Sequence, residues 1–193
     1  MASINSSKNN TGTKVVTGKV RLSYVNLFEP RASEDDETPK YSCVVLIPKS
    51  DTATLDKLRA AQEAALEKGK GKFDGKVPTK WHSTLRDGDD PEEADSERNP
   101  EYAGHMFMNV SSKTRPGIVD AQVAPILDRT ELYSGVYARV SLGAFAYNYK
   151  GKKGVSFGLN HVQKVADGEP LGGMTSAESD FDAFEDDEEP SYI

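Results

Sequence analysis

Residues 136–148 of the chain are Val136-Tyr137-Ala138-Arg139-Val140-Ser141-Leu142-Gly143-Ala144-Phe145-Ala146-Tyr147-Asn148, and every even-numbered position up to 146 is aliphatic. The odd-numbered positions carry aromatic, basic or small side chains instead. A period of two is the spacing of a β-strand that turns one face to a core and the other outward. These residues therefore predict one long strand, continuing to Lys150.

Four further segments predict strands. A strand over 14–28 would place Val20, Leu22 and Tyr24 on its inner face. A strand over 40–47 is ended by a proline, which cannot donate to a sheet. Two more are predicted over 104–112 and 155–164, and a turn rich in glycine and lysine joins the last of them to the long strand.

One helix is predicted between the second and third strands. It begins with Ser50 as N-cap and ends at Gly69. Its apolar stripe consists of Leu55, Leu58, Ala61, Ala65 and Leu66. A mainly β chain with five strands, one inserted helix and long loops predicts a small barrel resembling the OB-fold.

The charges are divided unevenly along the chain. The net charge is −7, but the segment from Glu178 onward holds eight acidic residues and no basic one. Residues 1–177 hold 23 acidic and 24 basic residues, and eleven of those acids fall in two predicted loops, 34–37 and 87–97. The rest of the chain is therefore strongly basic, as a surface that binds nucleic acid needs to be.

Composition also indicates the domain boundaries. We expect a disordered polar segment over 1–13, a folded domain over 14–174 and a disordered acidic tail over 175–193. No apolar run approaches the length of a membrane span, and no signal peptide begins the chain, so a cytoplasmic protein is expected.

The outward face of the predicted long strand points to single-stranded nucleic acid. It carries Tyr137, Arg139, Phe145 and Tyr147, where a solvent face normally carries small polar groups. An exposed ring can stack on any base for roughly 1–3 kcal/mol, so such a face binds single strands without sequence preference. The same rings could instead face a second core layer or a homodimer interface.

Other residues offer the same chemistry. Basic side chains suited to phosphate contacts are Lys19, Arg21, Lys113, Arg115, Lys150, Lys152 and Lys153. Phe107 is off the apolar face of its strand and is a further candidate for stacking. Trp81 lies among basic residues and is either a stacking platform or a plug for one end of the barrel.

The acidic tail contains apolar side chains as well as carboxylates. A segment of this composition cannot fold alone, but its aromatic residues are suited to short contacts with another protein. The residues expected to bind a partner are Phe181, Phe184, Asp186, Asp187, Glu188, Glu189, Tyr192 and Ile193. An acidic peptide would also compete with DNA for a basic groove.

Enzymatic chemistry has little support in the sequence, and no cofactor or metal is expected. Cys43 is the only cysteine and lies in a predicted buried strand, which excludes a thiolate-rich zinc site. Asp87, Asp89 and Asp90 could be drawn as the metal site of a nuclease, but their surroundings are typical of a solvated loop. No metal-binding histidine spacing and no nucleophile motif is found.

Several ordered blocks of the chain are shared with a known family. They are Leu85-Arg86-Asp87-Gly88-Asp89, Ser112-Lys113-Thr114-Arg115-Pro116-Gly117, Tyr133-Ser134-Gly135-x-Tyr137-Ala138-Arg139, Gly158-Leu159-Asn160-x-Val162-Gln163-Lys164 and Asp167-Gly168-Glu169-Pro170-Leu171-Gly172-Gly173. With these blocks the chain resembles a phage single-stranded-DNA-binding protein family over roughly residues 15–180.

The resemblance implies an OB-fold, sequence-independent binding of single-stranded DNA, and a role in phage replication or recombination within the infected bacterial host. It also implies a structural role, such as capping a turn, for Asp87 and Asp89. The acidic C-terminus is similar to the tails of T7-type and bacterial single-strand-binding proteins, which contact a polymerase, helicase or nuclease. An adaptor that binds protein through the aromatic face and a strand-annealing protein are the alternatives.

Overall fold

The computed structural model describes residues 12–172. All the tail residues named above lie outside this range, as do residues 1–11. The described strands are β1 (Lys14–Val16), β2 (Val20–Arg31), β3 (Lys40–Pro48), β4 (His82–Ser83), β5 (Arg86–Asp87), β6 (His105–Ser112), β7 (Gly117–Val119), β8 (Tyr137–Tyr149) and β9 (Lys152–Ala166). The helices are α1 (Thr52–Lys68) and α2 (Pro91–Ala94), with 3₁₀ turns at Lys70–Phe73, Pro100–Tyr102 and Arg129–Glu131.

Five strands form a closed ring in the order β2, β3, β6, β9, β8, with β8 returning to β2. The pairs are antiparallel except β6 with β9, which run parallel at Ser111 and Gly158. β1 lies along the free edge of β8, and the short strands β4, β5 and β7 extend the edges. The mainly β, OB-fold-like architecture predicted from the sequence is confirmed, with α1 between the second and third strands of the ring.

The aliphatic face of β8 lies in the core, as its alternation predicts. Ala138, Val140 and Leu142 have no exposed surface, and the stripe of α1 packs into the same core. The helix ends against the strand: a Cβ placed on Gly69 would lie 2.7 Å from the Cβ of Ala146. Only glycine allows this approach, and Gly69 is the C-cap of α1, as the sequence predicts.

Three local predictions are wrong. The N-cap of α1 is Asp51, whose carboxylate accepts a hydrogen bond from the backbone N–H of Thr54 at 3.1 Å, and not Ser50. The single strand expected over 14–28 is divided into β1 and β2. Tyr24 has a φ of 46° and is 47% exposed, because a bulge in β2 turns it out of the inner face.

Candidate nucleic-acid interface

The outer face of β8 is open in its middle. Phe145 is 48% exposed. Across the sheet Gly143 pairs with Gly158, and a Cβ built on Gly158 would be 3.9 Å from the ring of Phe145. Because the neighbouring positions carry no side chain, a flat base can approach both the ring and the backbone.

The N-terminal end of β8 carries a cluster of cations over an aromatic ring. The ammonium of Lys19 lies 4.8 Å from the ring centroid of Tyr137, and the guanidinium of Arg21 lies 5.5 Å from it. Arg21 also donates hydrogen bonds to the carbonyls of Gly135 at 3.1 Å and Glu169 at 2.7 Å. Arg21 therefore holds the segment around Glu169 in place as well as adding positive charge, whereas Lys19 is exposed and can contact a phosphate.

Arg139 and Tyr147 frame the open middle of this face. Arg139 is exposed, and its Nε donates to the carbonyl of Thr17 at 3.3 Å, which fixes the side chain across β8. Tyr147 is half-buried, and a Cβ on Gly154 would lie 2.4 Å from its hydroxyl oxygen. The structure therefore brings Tyr137, Arg139, Phe145 and Tyr147 onto one face, and Phe145 is the most exposed of the three rings.

The β8–β9 hairpin adds positive charge at one end of this face. Lys150 and Gly151 have φ angles of 49° and 83°, so two left-handed residues make the tight turn. Lys152 is exposed, and the ammonium of Lys153 lies 6.0 Å from the ring of Phe73. Sequence reasoning missed Lys72, which donates to the carbonyl of Ala146 at 2.7 Å and places another cation beside β8.

Phe107 is not part of an exposed surface, so its prediction as a stacking residue is corrected. Its side chain is 3% exposed and packs with Tyr102, whose ring centroid is 4.8 Å away. The guanidinium of Arg86 lies 4.5 Å from the centroid of the Phe107 ring. The segment that contains α2 covers Phe107, a long-range contact that strand periodicity cannot reveal.

The remaining predicted residues lie apart from β8. Trp81 is partly buried against the main core, which favours the plug over the stacking platform. Lys113 and Arg115 are exposed beyond the end of β6, where the guanidinium of Arg115 lies 5.5 Å from the ring of Phe28. Neither of them lines a second surface, on the outer side of β2, β3 and β6.

That second surface is a groove of about 540 Å³ that the sequence did not indicate. Its lining includes two arginines and two carboxylates, Arg86, Arg98, Glu93 and Asp95, beside Tyr24 and Asn109. The hydroxyl of Tyr24 donates to Asn99 Oδ1 at 2.8 Å, which fixes the ring at the groove wall. OB-folds bind oligonucleotides over the corresponding two strands, so the groove has a suitable position as well as suitable residues. Of the residues predicted to contact DNA, Phe107 lines this groove, and the bulge that turns Tyr24 outward was not predicted.

Asp87 and Asp89 form a structural cluster with Lys49. Its ammonium is 2.6 Å from Asp87 and 2.5 Å from Asp89, and these contacts lower the pKa of both carboxyls and raise the pKa of Lys49. Asp89 also accepts from the backbone N–H of Gly104 at 2.9 Å. Between residues 12 and 172 no group of three or more His, Cys, Asp or Glu side chains could hold a metal ion.

A family model described as Enterobacter phage Enc34, ssDNA-binding protein, matches residues 13–191. The chain belongs to this family. The match covers nearly all of the chain and agrees with the shared blocks in the sequence. No helix of the described part is long and apolar enough to cross a membrane.

Individual relatives agree with the Enc34 family assignment. A putative protein p50 of Acyrthosiphon pisum secondary endosymbiont phage 1 is 32% identical over 93% of this chain and 98% of its own length. The single-stranded DNA-binding protein of bacteriophage Enc34, solved in complex with ssDNA, is 26% identical, with a TM-score of 0.66 over 83% of this chain and 90% of that one. The corresponding T7 protein gp2.5 is 14% identical over 93% of this chain and 97% of its own, with a TM-score of 0.60, and shares the fold.

Proposed function

We propose that this chain binds single-stranded DNA without sequence preference, as a non-enzymatic protein of phage DNA replication or recombination. The observation that carries the proposal is the Enc34 family match, because a relative of the same fold was solved with ssDNA bound. The open aromatic face of β8 supplies the chemistry, since stacking and phosphate contacts need no base-specific hydrogen bonds.

Each residue of the β8 face has a role in this proposal. Phe145 stacks on a base, and Tyr137 and Tyr147 flank it along the strand. Arg139 and Lys19 contact phosphates, together with Lys152 and Lys153 of the hairpin. Trp81 and Phe107 are not proposed to touch DNA. Trp81 supports the end of the barrel, and the buried Phe107 supports the groove.

In the ring β2 lies between β8 and β3, so a strand bound on β8 can continue over the groove on β2, β3 and β6. We place the competition between DNA and the acidic tail in this groove. The described chain ends at Gly172, which lines a smaller hollow together with Tyr24 and Arg98. These two residues also line the main groove, and Lys113 and Arg115 lie beyond the end of β6. A tail that starts here reaches the arginines of the groove within a few residues, so its carboxylates compete with DNA phosphates.

The tail would then have two partners. While DNA is absent, its acidic residues lie against the arginines of the groove, Arg86 and Arg98, and against the exposed Lys113 and Arg115. When DNA displaces it, Phe181, Phe184, Tyr192 and Ile193 become available to a polymerase, helicase or nuclease, with Asp186, Asp187, Glu188 and Glu189 supplying charge. These residues lie outside the described part of the chain, and their role rests on composition.

Fluorescence anisotropy with labelled oligo-dT, oligo-dA and a duplex tests the proposal. We expect similar dissociation constants for the two single strands and weaker binding of the duplex. Arg139→Gln should weaken binding if DNA follows β8, whereas Tyr24→Asn with Arg98→Gln should weaken it if DNA follows the groove. A protein that binds none of the three is not a DNA-binding protein, and its aromatic face would then serve a protein partner.

A further inference from the structure

One exposed surface has no part in the proposed DNA contacts. The loop after β7, residues 120–128, displays Val123 and Leu127, which are 68% and 85% exposed. Val123 has a φ of 67°, which is an outlier for a β-branched residue. Backbone strain of this kind persists only where the surrounding structure enforces it, and it concentrates at functional sites.

The loop is held rigidly in this shape. Asp120 Oδ1 accepts hydrogen bonds from the backbone N–H groups of Gln122 and Ala124, both at 2.9 Å. The side chain of Gln163 on β9 donates to the carbonyls of Asp120 and Ala121, each at 3.3 Å. An apolar pair displayed on an ordered loop loses little entropy on binding, which is typical of an interface.

Beside the loop lies a hollow of about 500 Å³ with an acidic rim. Ile126 and Leu127 form its apolar side, and Asp128, Glu131 and Asp167 contribute carboxylates. Lys164 offsets part of this charge, since it is within 2.6 Å of Glu131 and 2.8 Å of Asp167. The hollow therefore suits an aromatic side chain that is accompanied by cations.

The chain carries such a group at the tip of the β8–β9 hairpin. Tyr149 is 65% exposed, and the ammonium of Lys150 lies 5.2 Å from its ring centroid. The hairpin tip is at the start of β9, whereas the loop is anchored at Gln163 near its end. Eleven residues of strand separate them, roughly 36 Å at about 3.3 Å per residue, so the two surfaces of one molecule cannot meet.

We propose that the hollow receives the hairpin of a second copy of the chain, with Tyr149 against Leu127 and Lys150 at the acidic rim. A contact between two different surfaces adds copies head to tail instead of closing a dimer. The proposal rests on the proposed function, because it gives successive copies a common direction along one strand of DNA. Neighbouring copies then bind cooperatively.

Cysteine cross-linking tests the contact. Cys43 is the only native cysteine and is buried, and burial raises its pKa to about 12, so introduced cysteines react alone. A Leu127→Cys/Tyr149→Cys variant should give a ladder of disulfide-linked dimers, trimers and larger species, on long oligo-dT and at high protein concentration without DNA. Each single variant, and the matched control Val77→Cys/Tyr149→Cys, should stay monomeric. Dimers from Leu127→Cys alone, or no ladder, would overturn the proposal.

A binding experiment separates this proposal from DNA binding itself. Leu127→Lys should leave the affinity for one short oligo-dT of about 15 nucleotides unchanged, and should lower the affinity for a strand ten times longer by about tenfold. Adding Tyr149→Asp should restore the affinity for the long strand, because its carboxylate then attracts the new lysine side chain at position 127. If the wild-type chain does not bind the short strand, the proposed function is refuted. If the Leu127→Lys variant binds the long strand as tightly as the wild-type chain does, the contact between copies is refuted.

Discussion

At the scale of single residues, stacking and packing can be told apart by exposure. Phe145 and Phe107 both occupy outward positions of strands, but one is 48% exposed and the other 3%. Strand periodicity predicted both orientations correctly. It could not predict that the α2 segment covers Phe107, since that contact joins residues distant in sequence, nor that the φ of Tyr24 turns its ring outward.

Phe145→Ala should weaken binding of oligo-dT by about 1–3 kcal/mol, because a stacking ring is lost while the half-exposed position tolerates alanine. The dissociation constant from anisotropy measures this, with an unchanged melting temperature as a check of the fold. Leu127→Ala, at an exposed apolar position outside β8, is the matched control and should leave the affinity for a short strand unchanged. Equal affinity for the Phe145→Ala variant and the wild type would remove the ring from the interface.

Gly168→Ala should destabilise the fold by about 1–3 kcal/mol, because the new Cβ would lie 2.2 Å from the carbonyl oxygen of Gly135 and 2.9 Å from the ring of Tyr137. Chemical denaturation measures the free energy of unfolding. Gly71→Ala is the control, since a Cβ there meets nothing within 4 Å. A Gly168→Ala protein as stable as the control would show that this close approach is not maintained in solution.

At the scale of elements, the long alternating strands were predictable and the short ones were not. β8 and α1 follow the sequence patterns closely, with Gly69 ending the helix as expected. β4, β5 and β7 have two or three residues each and are defined by their partners in the sheet, so no local period marks them. The groove over β2, β3 and β6 includes Arg86 of β5, and it was not predicted for the same reason.

The Lys49 cluster joins the end of β3 to β5, and its contribution should depend on pH. The pKa of Asp87 and Asp89 is lowered in the folded state, so their stabilisation is present above the unfolded value of about 3.9 and is lost as pH falls through the folded pKa values. Lys49→Met should therefore lower the melting temperature at pH 7 and have little effect near pH 2. Thermal melts at both pH values check this, and an equal difference at both would contradict it.

The hairpin should act on DNA through charge. Lys152→Gln should reduce the slope of log affinity against log salt by about 0.7, since one phosphate contact is lost from a single strand. Anisotropy at several salt concentrations gives the slope. Lys57→Gln, at an exposed position of α1, should leave it unchanged, and a matching change in both variants would mean that only the net charge matters.

At the scale of the whole molecule, a domain with an aromatic strand face and clustered cations precedes an acidic segment. Family membership and fold agree with the resemblance seen in the sequence, because its ordered blocks span the ring of strands. The position at which the chain leaves the folded domain could not be predicted, since it depends on Arg21 donating a hydrogen bond to the carbonyl of Glu169.

Removing the acidic tail should strengthen binding of DNA, most of all at low salt, where charge competition is strongest.

The most direct measurement is an anisotropy titration of labelled oligo-dT at several salt concentrations, with the full chain and with a chain ending at Ala177. We expect tight, salt-sensitive binding that becomes tighter without the tail. Absence of binding by both chains would contradict the proposed function, and equal binding by both would contradict the competition between tail and DNA.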